Sequence, residues 1–229
     1  MAQQPPQGPD DQQFPEQDPV DPIAPIDPID PNRDEFQASM RSLAQLATGR
    51  LTLDEILTEV AVYAVQAIPG ADGAALTLLE NHRRDTIVAT DPFIREVDAI
   101  QYRIGEGPCI SAASEQRTMR SGSLGGEQRW RRFGPRVGRL GVHSVLSLPL
   151  LTPDGVFGAM NVYARAKDAF DDRAEQLGEL FATPAAIAVQ NAQVLEQTKR
   201  LAASLQGAVS TKALINQALG IIRSRSGAS

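Results

Sequence analysis

The apolar positions near the start of the chain recur at helical spacing in two segments. Residues 34–48 carry apolar side chains three or four positions apart and are followed by a glycine, so a helix is predicted there. A second helix is predicted over residues 52–67, because Thr52 and Glu55 have the spacing of a capping box and a Pro-Gly pair follows the last apolar position. The patterned part of the chain therefore begins with two amphipathic helices.

After these helices the pattern changes to short apolar runs separated by turn residues, which is typical of β-strands. The predicted strands are residues 74–80, 86–90, 101–104, 144–151 and 156–164. Between the last two, residues 152–155 contain proline, aspartate and glycine and predict a hairpin. Residues 130–140 are expected to form an amphipathic helix or a turn. Helices, then short antiparallel strands, then a further helix indicate an α+β fold.

The last predicted helix begins at Asp171 or Asp172, has an expected kink at Pro184 and runs to about residue 208. Along and beyond it, residues recur at alternating spacings of four and three, which is a heptad seam. The predicted dimer seam consists of Ile187, Asn191, Val194, Thr198, Leu201, Leu205 and Ile215. Two interpretations are open: a two-stranded coiled coil between two copies, and an amphipathic helix folded back on its own chain.

Charge and proline are distributed unevenly along the 229 residues. Residues 1–32 carry seven acidic side chains and no basic one, and nine of the 16 prolines lie within this leader. Because proline fixes φ and removes a backbone donor, the leader is predicted to be disordered, either as a solvating segment or as a docking peptide. Residues 197–229 carry five basic side chains and no acidic one. Two interpretations are open: residual contact of these cations with RNA phosphates, and no contact with RNA.

The numbers of cysteines and histidines exclude several classes of site. The chain has one cysteine, Cys109, and two histidines, so an intrachain disulfide and a cysteine-built zinc site are excluded and no metal or cofactor is predicted. The N-terminus lacks the basic and apolar regions of a secretion signal, and no run reaches the roughly 18 apolar residues of a transmembrane helix. A cytoplasmic protein without a membrane segment is expected.

A small-molecule site is expected around residues 105–108 (Gly-Glu-Gly-Pro), which predict a tight turn leaving a strand. Such a turn brings backbone N–H groups close to an anion, and the alternative is a purely structural turn. Cys109 follows at a predicted helix start, where a thiolate would be stabilised, and the alternative is a small buried apolar side chain. His143 either lines the cavity or is a packed or surface histidine.

Seven arginines lie close together in the middle of the chain. An amphipathic, solvated face would explain them, and the alternative is a patch for an anion or a nucleic acid, with Trp130 as the one aromatic side chain among them able to stack. These residues are Arg117, Arg120, Arg129, Arg131, Arg132, Arg136 and Arg139.

Taken together, the motifs over residues 51–195 resemble a GAF domain, the small-ligand sensory module of bacterial signalling proteins. The matching segments are Gly105-Glu106-Gly107-Pro108-Cys109, Arg129–Arg132 with Phe133, Gly141–Leu150, Gly158–Tyr163 and Phe170-Asp171-Asp172. The resemblance implies an antiparallel sheet flanked by helices, with a ligand pocket and a long C-terminal signalling helix.

The C-terminus resembles the opening of an ANTAR domain, an RNA-binding antiterminator module often found after a GAF domain. The matching residues are Leu205-Gln206, Ala208, Ile215, Gln217-Ala218, Gly220-Ile221-Ile222, Arg225, Gly227 and Ser229. Two positions depart from that family, since Leu219 replaces a basic residue and Asn216 stands at an aspartate-like position. Because the family continues into two further helices after the position of Ser229, a truncated all-α ANTAR segment is expected.

The resemblance implies a signal-sensing regulator, not an enzyme, in which a GAF pocket controls a dimeric RNA-binding output in transcription antitermination. The predicted domains are a leader (1–32), an N-terminal helix (33–50), the GAF-like domain (51–195) and a coiled-coil helix with a partial ANTAR domain (196–229). Two alternatives are a GAF-only regulator that binds a ligand or heterodimerises without RNA output, and a redox sensor or enzyme that depends on Cys109.

The candidate sites follow from these assignments. The candidate pocket residues, for a small molecule of unknown identity, are Arg103, Gly105, Glu106, Gly107, Cys109, His143, Ser147 and Asn161. The candidates for contact with an RNA stem-loop are Lys212, Gln217, Gly220, Arg223 and Arg225. The expected partners are a second copy of the chain, bound through the C-terminal helix, and this stem-loop. No catalytic residue is predicted.

Overall fold

The computed structural model describes residues 32–46, 51–80, 83–153 and 155–226, and within these ranges it describes side chains as far as residue 206 except at residues 80–87. Its elements, in chain order, are α1 (Asn32–Gln45), α2 (Leu53–Ala67), β1 (Gly73–Glu80), β2 (Arg83–Ala89), α3 (Pro92–Ile104), α4 (Pro108–Glu115), β3 (Met119–Ser121), α5 (Gly134–Gly138), β4 (Ser144–Thr152), β5 (Gly155–Ala164) and α6 (Asp172–Ser226). The predicted disordered leader lies outside the described residues except for Asn32, at which α1 begins.

The five strands form one antiparallel sheet in the order β2-β1-β5-β4-β3. Helices flank this sheet and a long helix ends the described chain, so the predicted α+β class is confirmed. The hairpin between β4 and β5 is also confirmed, with Thr152 paired to Gly155. The long crossover from β2 to β3 carries α3 and α4, which bring polar side chains onto the sheet.

The two faces of the sheet face different helical layers because side chains alternate along each strand. On the first face, even-numbered residues such as Leu146, Leu148 and Val162 pack into a core with α1, α2 and α6. On the second face, odd-numbered residues such as Val145 and Tyr163 pack with α3, α4 and α5. Helix α6 and the candidate pocket residues of the sheet are therefore on opposite faces of the same strands.

The start of α2 follows the sequence prediction. The Thr52 side chain accepts a hydrogen bond from the Glu55 backbone N–H, and the Glu55 carboxylate accepts one from the Thr52 N–H at 2.7 Å. These two bonds satisfy backbone donors that a helix start leaves unpaired. The capping box is therefore present, and it holds the pKa of the Glu55 carboxyl below its usual range.

The strand predicted over residues 101–104 is wrong, because these residues form the last turn of α3. Asp91 caps this helix by accepting the Phe93 N–H at 3.0 Å, and Pro92 occupies its first position. Gly105 ends the helix with a φ of 67°, a conformation that glycine adopts without a Cβ penalty. The segment 105–108 is consequently a turn between two helices, and the prediction that it leaves a strand is wrong as well.

The remaining elements agree with the prediction in part. The short edge strand β3 was not predicted. Residues 130–140, expected as a helix or a turn, contain both, since a turn precedes the five-residue helix α5. The long helix α6 is capped by Asp171, whose Oδ1 accepts the Ala174 N–H at 2.8 Å. This helix continues through Pro184 to Ser226, so the predicted end near residue 208 is wrong.

The packing of β5 against β1 gives a test of the fold. A Cβ at Gly158 would lie 2.4 Å from the Thr77 carbonyl oxygen, whereas a Cβ at Gly125 would meet nothing within 4 Å. We therefore expect Gly158→Ala to lower the free energy of unfolding by about 1–3 kcal/mol, and Gly125→Ala to change it by less than about 0.5 kcal/mol. Urea unfolding measures both, and equal stability of the two variants would contradict the described pairing of β1 and β5.

Candidate functional site

Polar side chains are concentrated on the second face of the sheet, beneath α3. Asp98 and Gln101 of α3, Ser147 of β4, and Asn161 and Tyr163 of β5 are all fully buried. We call these five residues the polar cluster. Buried polar groups are stable only where hydrogen bonds replace water, so the bonds within the cluster determine what it can do.

The carboxylate of Asp98 is the centre of the polar cluster. Its Oδ1 accepts hydrogen bonds from the Tyr163 hydroxyl at 2.6 Å, from Gln101 Nε2 at 2.8 Å and from Asn161 Nδ2 at 3.3 Å. These donors come from one helix and one strand, so the carboxylate joins α3 to β5. Burial, and then the nearby Asp98 charge, raise the pKa of Tyr163 well above its usual value, so this hydroxyl stays protonated and donates.

The strand register orients the amide of Asn161. Ser147 lies opposite Asn161 in the β4–β5 pair, and its Oγ donates to Asn161 Oδ1 at 2.8 Å. With its oxygen held by the serine, the amide directs its nitrogen to Asp98. Both candidate residues therefore act in one chain of hydrogen bonds.

The polar cluster also fixes the start of α4. Gln101 Oε1 accepts the Cys109 backbone N–H at 3.2 Å. Gly107 approaches the same side chain so closely that a Cβ there would lie 2.4 Å from Gln101 Oε1. The glycine is thus required by close packing on Gln101.

Cys109 lies at the edge of the cluster as a buried thiol. Its Sγ is 3.4 Å from the Tyr102 hydroxyl, which in turn contacts Thr77 Oγ1. Burial, followed by the charge of Asp98, raises the pKa of Cys109 to about 11. This direction is opposite to the one that a stabilised thiolate requires, although the residue does lie at a helix start as predicted.

Glu106 connects the turn between α3 and α4 to the segment before α5. Its Oε1 accepts the backbone N–H groups of Arg132 at 2.6 Å and Phe133 at 3.1 Å. The carboxylate therefore links two segments that are 26 residues apart along the chain, both in the second layer of the domain.

The remaining pocket candidates lie away from the polar cluster. Arg103 and Gly105 are exposed at the end of α3. His143 precedes β4, where its backbone N–H donates to the Ala164 carbonyl at 3.0 Å and its carbonyl accepts from Leu124 at 2.8 Å. The side chains of Arg103 and His143 make no described hydrogen bond with the cluster, and Gly105 contacts it only through its backbone N–H, which donates to the Gln101 carbonyl.

Sequence reasoning did not find the central residues of the cluster, Asp98, Gln101 and Tyr163. A signal was present: Asp98 and Gln101 lie three positions apart on the same helical face as the buried Ile94 and Val97. Polar residues within an apolar helical face indicate a buried polar contact. The signal was missed because the end of this helix was predicted as a strand.

The dimer-seam residues lie along one exposed stripe of α6. Ile187, Val194, Leu201 and Leu205 are 53%, 56%, 62% and 60% exposed, respectively. Asn191 and Thr198 of the same seam are also exposed. The side chain of Ile215 lies outside the described side chains. The same holds for the RNA candidates Lys212, Gln217, Gly220, Arg223 and Arg225, and the backbone of all six residues is helical within α6.

Within the described ranges, the requirements of a metal site and of a membrane-spanning helix are not met. No group of three or more histidine, cysteine, aspartate or glutamate residues in these ranges is arranged to hold a metal ion. No helix within them combines the length and apolarity needed to cross a membrane.

The fold is similar to that of several solved structures. The GAF domain of a phosphoenolpyruvate-protein phosphotransferase from Coxiella burnetii is 15% identical, with a TM-score of 0.56 over 71% of this chain and 97% of that one. The corresponding domain from Acinetobacter is 13% identical, with a TM-score of 0.52 over 69% and 94%. A free methionine-R-sulfoxide reductase from Neisseria meningitidis is 13% identical, with a TM-score of 0.53 over 71% and 90%. At sequence identities of 13–15%, the similarity shows a shared fold and no more.

The similarity to the reductase corrects one prediction. The chain was expected not to be an enzyme, and this expectation is contradicted, because a methionine-R-sulfoxide reductase has the same fold. The physical reason is that a fold positions the residues of a site, whereas the identity of those residues determines the chemistry.

The family is established by sequence. No curated protein sequence matches the chain. The family model described as the GAF domain matches residues 50–190, which include the sheet, the polar cluster and the first part of α6. The match ends before the segment that resembles an ANTAR domain. With more than half of its residues matched, this chain belongs to the GAF domain family.

Proposed function

We propose that this chain is a dimeric signal-transduction regulator, in which the GAF domain controls α6 and, through it, an RNA-binding segment that acts in transcription antitermination. The observation that carries the proposal is the stripe of exposed apolar side chains along α6. The polar cluster provides the input, α6 the connection and the basic C-terminal residues the output. The proposal places the protein in the cytoplasm, where nascent RNA is found.

The exposed part of α6 needs a partner. Ala192 is its last buried residue, and from residue 193 to residue 206 every described side chain is exposed or half-buried. Isolated helices are marginally stable in water, and most helical stability in proteins comes from packing of an apolar face. Burial of an exposed leucine contributes about 1.5–3 kcal/mol, so pairing of two seams stabilises both helices.

The pattern of the seam favours two parallel, identical helices. Asn191 and Thr198 occupy the a positions of successive heptads, while Ile187, Val194 and Leu201 occupy the d positions. A polar residue at a, above all asparagine, favours two strands in fixed register. The flanking e and g positions over residues 188–204 are uncharged, and therefore provide no charge pattern that would select a different partner.

The sheet offers a physical path from the polar cluster to α6. Ser147 faces the cluster, whereas its neighbours Leu146 and Leu148 face α6, with one methyl carbon of each 3.0 Å from the position of a Cβ on Gly178. A ligand that rearranges the bonds of Ser147 and Asn161 would therefore shift the strand on which α6 rests. It transmits a signal only by binding one helix arrangement more tightly than the other.

The output follows from charge and from the resemblance described above. Residues 197–229 carry Lys199, Arg200, Lys212, Arg223 and Arg225 and no acidic side chain. Lysine and arginine contacts with phosphates provide most sequence-independent affinity for nucleic acids. In a parallel dimer two such segments lie side by side and double the charge available to one stem-loop.

The dimer is tested by Leu201→Lys, with Ala203→Lys as the matched control. Leu201 lies in the seam, whereas the exposed Ala203 lies on the opposite side of α6 and receives the same charge. We expect a wild-type dimer in analytical ultracentrifugation, a dissociation constant at least about tenfold higher for Leu201→Lys, and an unchanged constant for Ala203→Lys. A monomeric wild-type chain, or equal effects of both substitutions, would contradict the proposal.

The two α6 helices of the dimer are predicted to be parallel, and disulfide formation in the variant Ile187→Cys tests this orientation. In a parallel pair the two introduced thiols face each other and form a disulfide under mild oxidation. In an antiparallel pair they lie far apart, at opposite ends of the seam. Formation of the disulfide supports the parallel arrangement, and its absence in a confirmed dimer excludes it.

A second thiol variant, Ala203→Cys, tests the alternative function based on Cys109. Cys109 is 3% exposed and its pKa is raised to about 11, whereas Ala203 is exposed on the side of α6 opposite the seam. We expect iodoacetamide at neutral pH to label the introduced thiol within minutes and Cys109 at least about 100-fold more slowly, with a rate that rises about tenfold per pH unit. Mass spectrometry distinguishes the two sites. Comparable rates would restore Cys109 as a candidate redox residue.

The RNA output is tested by the triple variant Lys212→Gln, Arg223→Gln, Arg225→Gln. The control replaces the same number of exposed cations elsewhere, namely Arg41, Arg117 and Lys167. We expect the first variant to bind an RNA stem-loop at least about tenfold more weakly at low salt, and the control to bind as the wild type does. Absence of wild-type binding at any salt concentration would remove the antitermination proposal and favour a GAF-only regulator.

A further inference from the structure

The segment from Arg129 to Arg139 is rigid although it contains only one short helix. Trp130 is 3% exposed, and Phe133 and Val137 are fully buried in the second core. Gly134 packs so closely that a Cβ there would lie 2.0 Å from the Leu124 carbonyl oxygen. Three apolar anchors and one close backbone contact therefore fix the path of this segment.

The Glu106 carboxylate adds a polar anchor to the apolar ones. Its Oε1 accepts the backbone N–H groups of Arg132 and Phe133, so this oxygen is bound to the backbone of the segment. In addition, the Arg136 guanidinium donates to the Arg132 carbonyl, one turn earlier in the chain. The arginine side chains of the segment consequently project from a backbone that is already ordered.

The seven arginines of this region divide into two groups. Three have acidic partners: Arg117 with Glu115 at 2.6 Å, Arg129 with Glu127 at 2.7 Å, and Arg120 with Asp172 at 2.8 Å and Glu175 at 3.1 Å. The remaining four are exposed, and no acidic side chain in the described part of the chain pairs with them. We call this second group, Arg131, Arg132, Arg136 and Arg139, the arginine platform.

The platform is also free of acidic neighbours along the chain. Residues 128–142 contain no aspartate or glutamate. By contrast, residues 33–196 as a whole carry 21 acidic and 17 basic side chains. Four unneutralised guanidinium groups on a rigid segment thus form a local positive surface on a domain with a net negative charge.

The composition of this surface limits the class of partner. Trp130, the predicted stacking residue, is buried with its Nε1 donating to Ser111 Oγ at 2.9 Å, so it is not available to stack on a base. None of the exposed large apolar side chains in the described part of the chain lies in this segment. Protein interfaces depend on such anchors at their centre, whereas recognition of a phosphate backbone needs only cations.

We propose that the arginine platform binds the sugar-phosphate backbone of a double-stranded RNA stem. The site goes beyond the proposed function because it lies on the second layer of the domain, across the sheet from α6. Only the choice of RNA over DNA rests on the proposed function. Arginine suits this role because its planar, permanently charged guanidinium forms paired hydrogen bonds to phosphate oxygens.

The test replaces Arg131, Arg132 and Arg139 by glutamine in the full chain. Arg136 is retained because its guanidinium supports the Arg132 carbonyl, whereas the other three side chains make no hydrogen bond in the described part of the chain. The matched control is the variant Arg41→Gln, Arg117→Gln, Lys167→Gln, which changes the net charge equally. Thermal melting of both variants establishes that each is folded.

The probe is a blunt RNA duplex of about 16 base pairs, a length that spans two minor grooves. Fluorescence anisotropy is measured between about 50 mM and about 200 mM salt. We expect the platform variant to bind at least about tenfold more weakly at the lower salt concentration, and the slope of log affinity against log salt to become shallower by about two to three. The control should stay within about twofold of the wild type.

A parallel measurement with Lys212→Gln, Arg223→Gln, Arg225→Gln separates this inference from the proposed output. Loss of duplex binding in the platform variant alone supports the platform and leaves the output segment without support. Loss in the C-terminal variant alone overturns the platform and supports the output segment.

Two competing probes decide the class of partner. Tighter platform-dependent binding to duplex DNA than to duplex RNA would overturn the assignment to RNA. Platform-dependent binding to poly-glutamate, with no binding to either duplex, would overturn the assignment to nucleic acid and indicate an acidic protein partner.

Discussion

A carboxylate that leaves water for a protein interior loses several kcal/mol of hydration unless hydrogen bonds replace it. In this chain that requirement falls on Asp98, and the three donors that meet it come from Gln101, Asn161 and Tyr163. Gln101 then holds the first turn of α4, and Asn161 is held by Ser147. The position of α3, the start of α4 and the contact with two strands all depend on one buried charge. Loss of any of these donors removes a hydrogen bond from a fully buried carboxylate.

The sequence was sufficient wherever a structure depends on local chemistry. The capping box of α2 and the β4–β5 hairpin were predicted because their signals lie within four residues. The helix α3 was not, because its short apolar end resembles a strand when read without the cap at Asp91. Two of the five residues of the polar cluster were predicted. Ser147 and Asn161 belong to motifs of the resemblance, whereas Asp98 is 63 residues from Asn161 along the chain. No local pattern encodes a contact at that separation.

The folded structure also distinguishes residues that look equivalent in the sequence, through their burial and their charged neighbours. Seven arginines within one stretch differ in whether a carboxylate lies nearby, and only the folded chain brings Asp172 and Glu175 to Arg120. The same holds for Cys109, since a helix start favours a thiolate only where the site is accessible to water. The shared fold of GAF domains and a methionine-R-sulfoxide reductase leads to the same conclusion at a larger scale, because the fold leaves the chemistry to the individual side chains.

The length of α6 has a mechanical consequence. Beyond Ala192, the last buried residue among its described side chains, the helix continues to Ser226, which at 1.5 Å per residue is a distance of about 50 Å. An arm of this length converts angle into displacement: a tilt of about 5° at its base moves the far end by about 4 Å, nearly the spacing between adjacent β-strands. A change at the sheet too small to alter the domain core would thus be amplified at the far end of the arm.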